Sequence, residues 1–204
     1  MERKIKSSHF RGMNHLDISS YWKKAYTYPE FRTLMHDLHA QDRVTGPNQS
    51  ADLLAYSLLN EQRMNRIDKH GVLPELSVAK EGRKILVITE GWCGDSAQIL
   101  PYMQKWSLAK GHELRIVLRD ENLALMDQYL TNGARAVPLF LFLNDDFEVI
   151  ARWGARPATL QNMVVQWKSE GLEKEAFITL IHKWYADNKG MSCVKEWEDL
   201  SAAI

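Results

Sequence analysis

The sequence predicts an α/β protein built on a β-α-β-α-β-β-α core from about residue 81, with helices before it and one more after it. Three observations predict this. Short β-rich runs at 84–89, 113–118 and 137–143 are separated by segments with helical spacing of apolar residues. Gly and Pro fall at the changes of pattern, as at Gly111, Pro138, Pro157 and Gly171. Residues 1–80 contain helical periodicity and no β run.

The elements follow in order. Tyr28-Pro29-Glu30 opens a helix with Phe31, Leu34, Met35 and Leu38 at helical spacing, and Gly46-Pro47 breaks the pattern. Asn48 or Ser50 caps the next helix, which runs to about His70 with Gly71 and Pro74 beyond. Its Leu54, Leu58, Leu59, Met64 and Ile67 read as a stripe that covers the following domain. The run 84–89 is a buried strand, and a helix follows from about Cys93 to Lys110, closed by Gly111. The run 113–118 is the second strand, after which Asp120 caps a helix through Leu130 and Thr131-Asn132-Gly133 forms a loop. The third strand, 137–143, begins at a proline; Asn144-Asp145-Asp146 turns the chain, and 147–153 pairs back. A helix from Pro157 stops at Gly171. A last helix carries Phe177, Leu180, Ile181 and Trp184 on one face and ends near Gly190; no element is assigned beyond Met191. Strands joined through a helix are expected to be parallel, and the last two form a hairpin. The expected organisation is a helical extension over 1–80 packed on the core, a core domain over 81–171, and a helix and tail over 172–204.

Composition narrows the function. Hydrophobic residues make up 45% of the 204, charged residues 25%, and 26 basic side chains balance 26 acidic ones. That balance recommends neither nucleic acid nor an anionic membrane as a partner. No apolar run follows Met1, and the longest apolar stretches, within 85–88 and 137–143, fall short of a membrane span. Two cysteines a hundred positions apart make no disulfide framework and suit a reducing cytoplasm. No Gly-rich phosphate loop or Gly-x-Ser-x-Gly elbow is present.

The segment Trp92-Cys93-Gly94-Asp95-Ser96 carries the chemistry. Cys93 stands where a strand ends and a helix begins. Outward-pointing N–H groups and the helix dipole favour a thiolate there, and the thiolate is the nucleophile. Pro101 lies inside the same helix. Val137-Pro138 opens the third strand, where a cis bond suits a tight start.

These residues resemble the thioredoxin family over roughly 84–170, through the Trp-Cys-Gly turn, the proline five residues after Ser96 and the Val137-Pro138 dipeptide. The resemblance implies the three-layer thioredoxin fold, with Pro138 cis and lying against the reactive sulfur. The segment 118–133 is similar to a bacterial branch with Trp-Cys-Gly-Asp turns, whose members often lack the second cysteine. Here Ser96 occupies the place of that resolving cysteine, and Val87 that of a buried aspartate which aids proton transfer in the family. Asp95 sets a negative charge beside Cys93 and opposes the helix terminus.

The implied activity is thiol–disulfide exchange of monothiol type. A lone thiolate forms a mixed disulfide, and an outside thiol such as glutathione must release it. Cys93 and Ser96 are the candidate catalytic residues; Trp92, Gly94, Asp95, Val137 and Pro138 are the candidate substrate contacts. The expected partner is a protein or small-molecule thiol or disulfide, with no metal and no resident cofactor. Two rivals stand beside this reading. One keeps the fold as a redox-inactive module that binds a partner between Trp92 and Pro138. The other compares Cys93-Gly94-Asp95-Ser96 with the Cys-Gly-Phe-Ser turn of monothiol glutaredoxins, which bind glutathione and an iron–sulfur cluster.

Each residue also has a plainer reading. Cys93 is otherwise a buried relic, Trp92 a packed aromatic, Arg135 a solvated side chain, and Cys193 a free cysteine of the surface or tail. His36 and His39 read as a solvated helix face, and the tryptophans as core packing.

Overall fold

The computed structural model describes residues 16–77 and 82–204. The N-terminal residues read for a leader, and the expected boundary at 80 and 81, lie outside the described residues.

Three helices precede the sheet: α1 (Ile18–Lys24), α2 (Tyr28–His39) and α3 (Ala51–His70). Asp17 caps α1, which the sequence reading did not foresee, by accepting from the Ser19 N–H. Thr27 and Glu30 form a reciprocal capping box on α2, and Ser50, not Asn48, caps α3. The buried face of α3 is Ser57, Asn60, Met64 and Ile67. Leu58 and Leu59 stand 41% and 42% exposed, which corrects the expected stripe. The physical reason is that the two polar residues find partners in the interior. Asn60 donates to the Gly91 carbonyl at 3.2 Å, and Ser57 lies 2.8 Å from His39 Nε2.

The core then runs β1 (Lys84–Thr89), α4 (Gly94–Lys110), β2 (Glu113–Leu118), α5 (Leu123–Met126), a 3₁₀ turn (Asp127–Tyr129), β3 (Leu139–Leu143), β4 (Val149–Gly154) and α6 (Ala158–Ser169). Two further helices, α7 (Lys174–Asn188) and α8 (Met191–Ser201), complete the chain. The sheet order is β2-β1-β3-β4. β1 and β2 are parallel; β3 runs antiparallel to both β1 and β4. Alternation along β1 divides the core in two. Ile85 and Val87 face a cluster drawn from α2, α3, α4, α6, α7 and α8, whereas Leu86 and Ile88 face one drawn from α1 and α5. The sheet therefore lies between helical layers. No described helix is long and apolar enough to cross a membrane.

The structure corrects four further expectations. Asp120 does not cap a helix to Leu130: α5 begins after Asn122 and tightens into the 3₁₀ turn. The Asp120 N–H is taken by Glu90 Oε1 at 2.8 Å and its carboxylate by Arg119, so neither serves a helix end. Phe147 is not in the returning strand; with φ of +62° it belongs to the turn. The segment beyond Met191 is a helix, with Val194 and Trp197 buried against Trp106 and Trp153. Cys193 lies in that helix and is 1% exposed, so it is neither a surface nor a tail cysteine.

One glycine fixes how β3 and β4 meet. Gly154 has φ of +133°, and a methyl group added there would lie 2.2 Å from the Pro138 carbonyl oxygen. Only glycine allows the two backbones this approach.

Candidate functional site

Cys93 is the N-cap residue of α4, in extended backbone conformation. The turn before it is closed by a hydrogen bond from the Cys93 N–H to the Glu90 carbonyl at 3.1 Å. The sulfur is buried, the residue being 7% exposed, and it donates to the Val137 carbonyl at 3.3 Å. The Val137–Pro138 peptide is cis, and both residues are buried beside it. Trp92 packs on the same apolar cluster as Cys93 and Val137, with the Arg119 guanidinium 4.8 Å from its ring centroid.

Opposing forces act on the thiol. Burial is the largest and Asp95 the next; together they push it up to about 11. The Ser96 hydroxyl and the backbone N–H groups of Ser96 and Asp95 pull the other way. Ser96 Oγ also lies 2.6 Å from Thr89 Oγ1. The thiol is bound as a donor to Val137 and makes no capping hydrogen bond to α4, and burial outweighs the pull of the neighbouring dipoles.

Asp95 is 9% exposed and fully engaged. Arg156 grips it with Nε at 2.9 Å and Nη2 at 2.7 Å, and the Tyr185 hydroxyl donates to it at 2.9 Å. Burial pushes the Asp95 carboxyl up, while Arg156 and then Tyr185 pull it back. An isolated charge at this depth would be costly; the forked guanidinium offsets that cost.

Gly94 carries a second closure. A methyl group at Gly94 would lie 2.4 Å from the Tyr56 hydroxyl and 3.0 Å from His182 Cε1. Tyr56 Oη and His182 Nε2 are 3.0 Å apart, and Gln98 Nε2 lies 3.3 Å from His182 Nδ1. Burial, with Arg63 nearby, depresses the His182 imidazole to about 4. A helix from each flank of the core, α3 and α7, therefore reaches the turn.

The structure brings together all seven candidate residues, Trp92, Cys93, Gly94, Asp95, Ser96, Val137 and Pro138. Four that surround them were missed: Tyr56, Arg156, Tyr185 and His182. His182 and Tyr185 had a faint signal, two polar-tipped side chains three apart beside Ile181 on an apolar face. Tyr56 and Arg156 had none. Arg135 pairs with Asp127 at 2.6 and 2.9 Å. His36 is exposed, but His39 is not: its side chain is 5% exposed and lies between Glu61 Oε2 at 2.6 Å and Ser57 Oγ at 2.8 Å. The Ser–His–Glu order looks nucleophilic, yet Ser57 is 1% exposed, and the group fastens α2 to α3.

A cysteine at the N-terminus of the first core helix, facing the start of the antiparallel strand, defines a thioredoxin-like site. A family model described as thioredoxin matches residues 46–170, and the chain belongs to that family. It is similar to an H-type thioredoxin of Oryza sativa subsp. indica, 32% identical over 97 residues that make up 45% of this chain and 75% of that protein. Its fold is also similar to that of a Pseudomonas aeruginosa protein of unknown function. That crystal structure has a TM-score of 0.53 at 17% identity, covering 88% of this chain and 99% of that one.

Proposed function

We propose that this protein is a monothiol member of the thioredoxin family that forms mixed disulfides through Cys93. The observation that carries the reading is the place of the sulfur: Cys93 is the N-cap residue of α4, at the positive end of that helix, and its thiol lies against the Val137 carbonyl beside the cis Val137–Pro138 peptide. In the step proposed, the Cys93 thiolate attacks one sulfur of a disulfide. A Cys93–substrate S–S bond forms, the substrate's own bond breaks, and the released thiolate takes a proton from water. Ser96 offers no second sulfur, so an external thiol completes the exchange. With burial and Asp95 holding the thiol up at about 11, the resting protein keeps Cys93 as the thiol at pH 7.

The burial of that sulfur favours a second reading, a redox-inactive binding module of the same fold. One experiment separates them. Reduced protein is incubated with oxidised glutathione, and the adduct is located by peptide mass spectrometry. Adduct on Cys93, absent from Cys93→Ser, supports the exchange reading. No adduct on Cys93 after prolonged incubation at pH 8 sinks it.

A further inference from the structure

The strand side of Cys93 is closed by Val137, Pro138 and Trp92, which belong to the core itself. The helix side is closed differently. Tyr56 comes from α3, ahead of the sheet, and His182 from α7, after it. α3 packs chiefly on α4, and α7 on α6. Across Gly94 the two helices are joined by side chains: Tyr56 to His182 at 3.0 Å, with Gln98 on the other imidazole nitrogen. Tyr56 and His182 are each only half-buried, so their contact lies near the surface. The Tyr56 hydroxyl lies so close to the turn that a methyl group on Gly94 would collide with it.

We propose that Tyr56 and His182 form a latch over the Trp-Cys-Gly turn, and that Cys93 reacts only when this contact parts. The proposal rests on the exchange reading above and adds a control to it. It also assigns a role to the flanking helices. In the closed state the sulfur is held as a thiol against the Val137 carbonyl. When the imidazole and phenol separate, water reaches the N-terminus of α4, and the helix dipole acts on the sulfur with less opposition from burial. A latch made of hydrogen bonds between neutral side chains at a half-buried site parts more readily than packed backbone.

The test measures alkylation of Cys93 by iodoacetamide at pH 8, read by peptide mass spectrometry so that Cys193 does not contribute. Tyr56→Ala, His182→Ala and the double variant are compared with the parent, each checked by circular dichroism. A latch predicts that each single variant raises the rate at least tenfold. It also predicts that the double variant exceeds the faster single one by less than threefold, because opening either partner frees the same sulfur. Tyr56→Phe keeps the ring and loses the bond, so it falls between parent and Tyr56→Ala. His182→Gln, which keeps a polar side chain of similar reach, gives a milder opening if an alanine variant melts. Rates within twofold of the parent in every folded variant overturn the latch. Faster alkylation without a glutathione adduct would leave the latch standing and remove the exchange reading.

Discussion

Breaking the Asp95–Arg156 pair from either end should destabilise the fold alike and move Cys93 reactivity in opposite directions. Arg156→Met removes both forked contacts, at 2.9 and 2.7 Å, and leaves a buried carboxylate with only the Tyr185 hydroxyl. Losing one partner of a buried pair costs about 3–5 kcal/mol. The Arg156 side chain is 24% exposed, so water restores part of this, and about 2–4 kcal/mol is expected. For a chain of this size the melting temperature would fall by about 4–16 °C. Asp95→Asn keeps the shape, strands the guanidinium and should cost a similar amount. Their electrostatic effects on the thiol differ in sign. Asp95 raises it, and Arg156 interacts favourably with its charged form. Asp95→Asn should therefore speed Cys93 alkylation, and Arg156→Met should slow it. The assay is a urea melt followed by tryptophan fluorescence, with alkylation rates measured well below the transition. Acceleration in both variants would mean that loosening, not charge, governs the thiol. A loss under 1 kcal/mol in Arg156→Met would refute the burial argument.

Three further outcomes are expected. Cys93 is raised from 9.0 to about 11 in the folded state, so the unfolded chain ionises first as pH rises. Its contribution is intact below pH 9 and lost by about pH 11, amounting to roughly 2–3 kcal/mol. Urea midpoints across pH 8–11 should fall more steeply for the parent than for Cys93→Ser, and equal slopes would contradict this. Gly154→Ala should cost several kcal/mol, on the order of 3, because the methyl meets the Pro138 carbonyl oxygen at 2.2 Å in a backbone region that side chains avoid. A melting temperature within 2 °C of the parent would count against it. His39→Ala frees Ser57 Oγ and Glu61 Oε2 from their contacts at 2.8 and 2.6 Å and should cost about 1–3 kcal/mol, read by the same urea melt.

The fold was legible where pattern and punctuation agreed. Gly111 closes α4 in the left-handed conformation that a glycine there implies, and the buried runs of β1 and β3 were unambiguous. It was illegible where polar residues are satisfied inside. Ser57 and Asn60 occupy the buried face of α3, so hydrophobic spacing pointed to Leu58 and Leu59 instead. At the site, the sequence exposed the contest between Asp95 and the helix terminus over Cys93. It did not expose the larger force, burial, because the apolar cluster around the sulfur is assembled from residues far away in the chain, among them Ile18, Trp22, Leu125 and Val137. No local pattern carries a contact such as Tyr56 to His182, between helices whose contacting residues stand 126 positions apart.

That separation has a consequence for the order in which the protein is made. His182 is synthesised about 90 residues after Cys93. At about 5–20 residues per second, that interval is on the order of 5–20 s. Throughout it, a nascent chain can form the strand and helix that carry the sulfur while one half of the proposed latch has not yet been added. If the latch is as proposed, the helix side of the turn stays open during that interval, so the newly made thiol is more accessible then than in the finished protein.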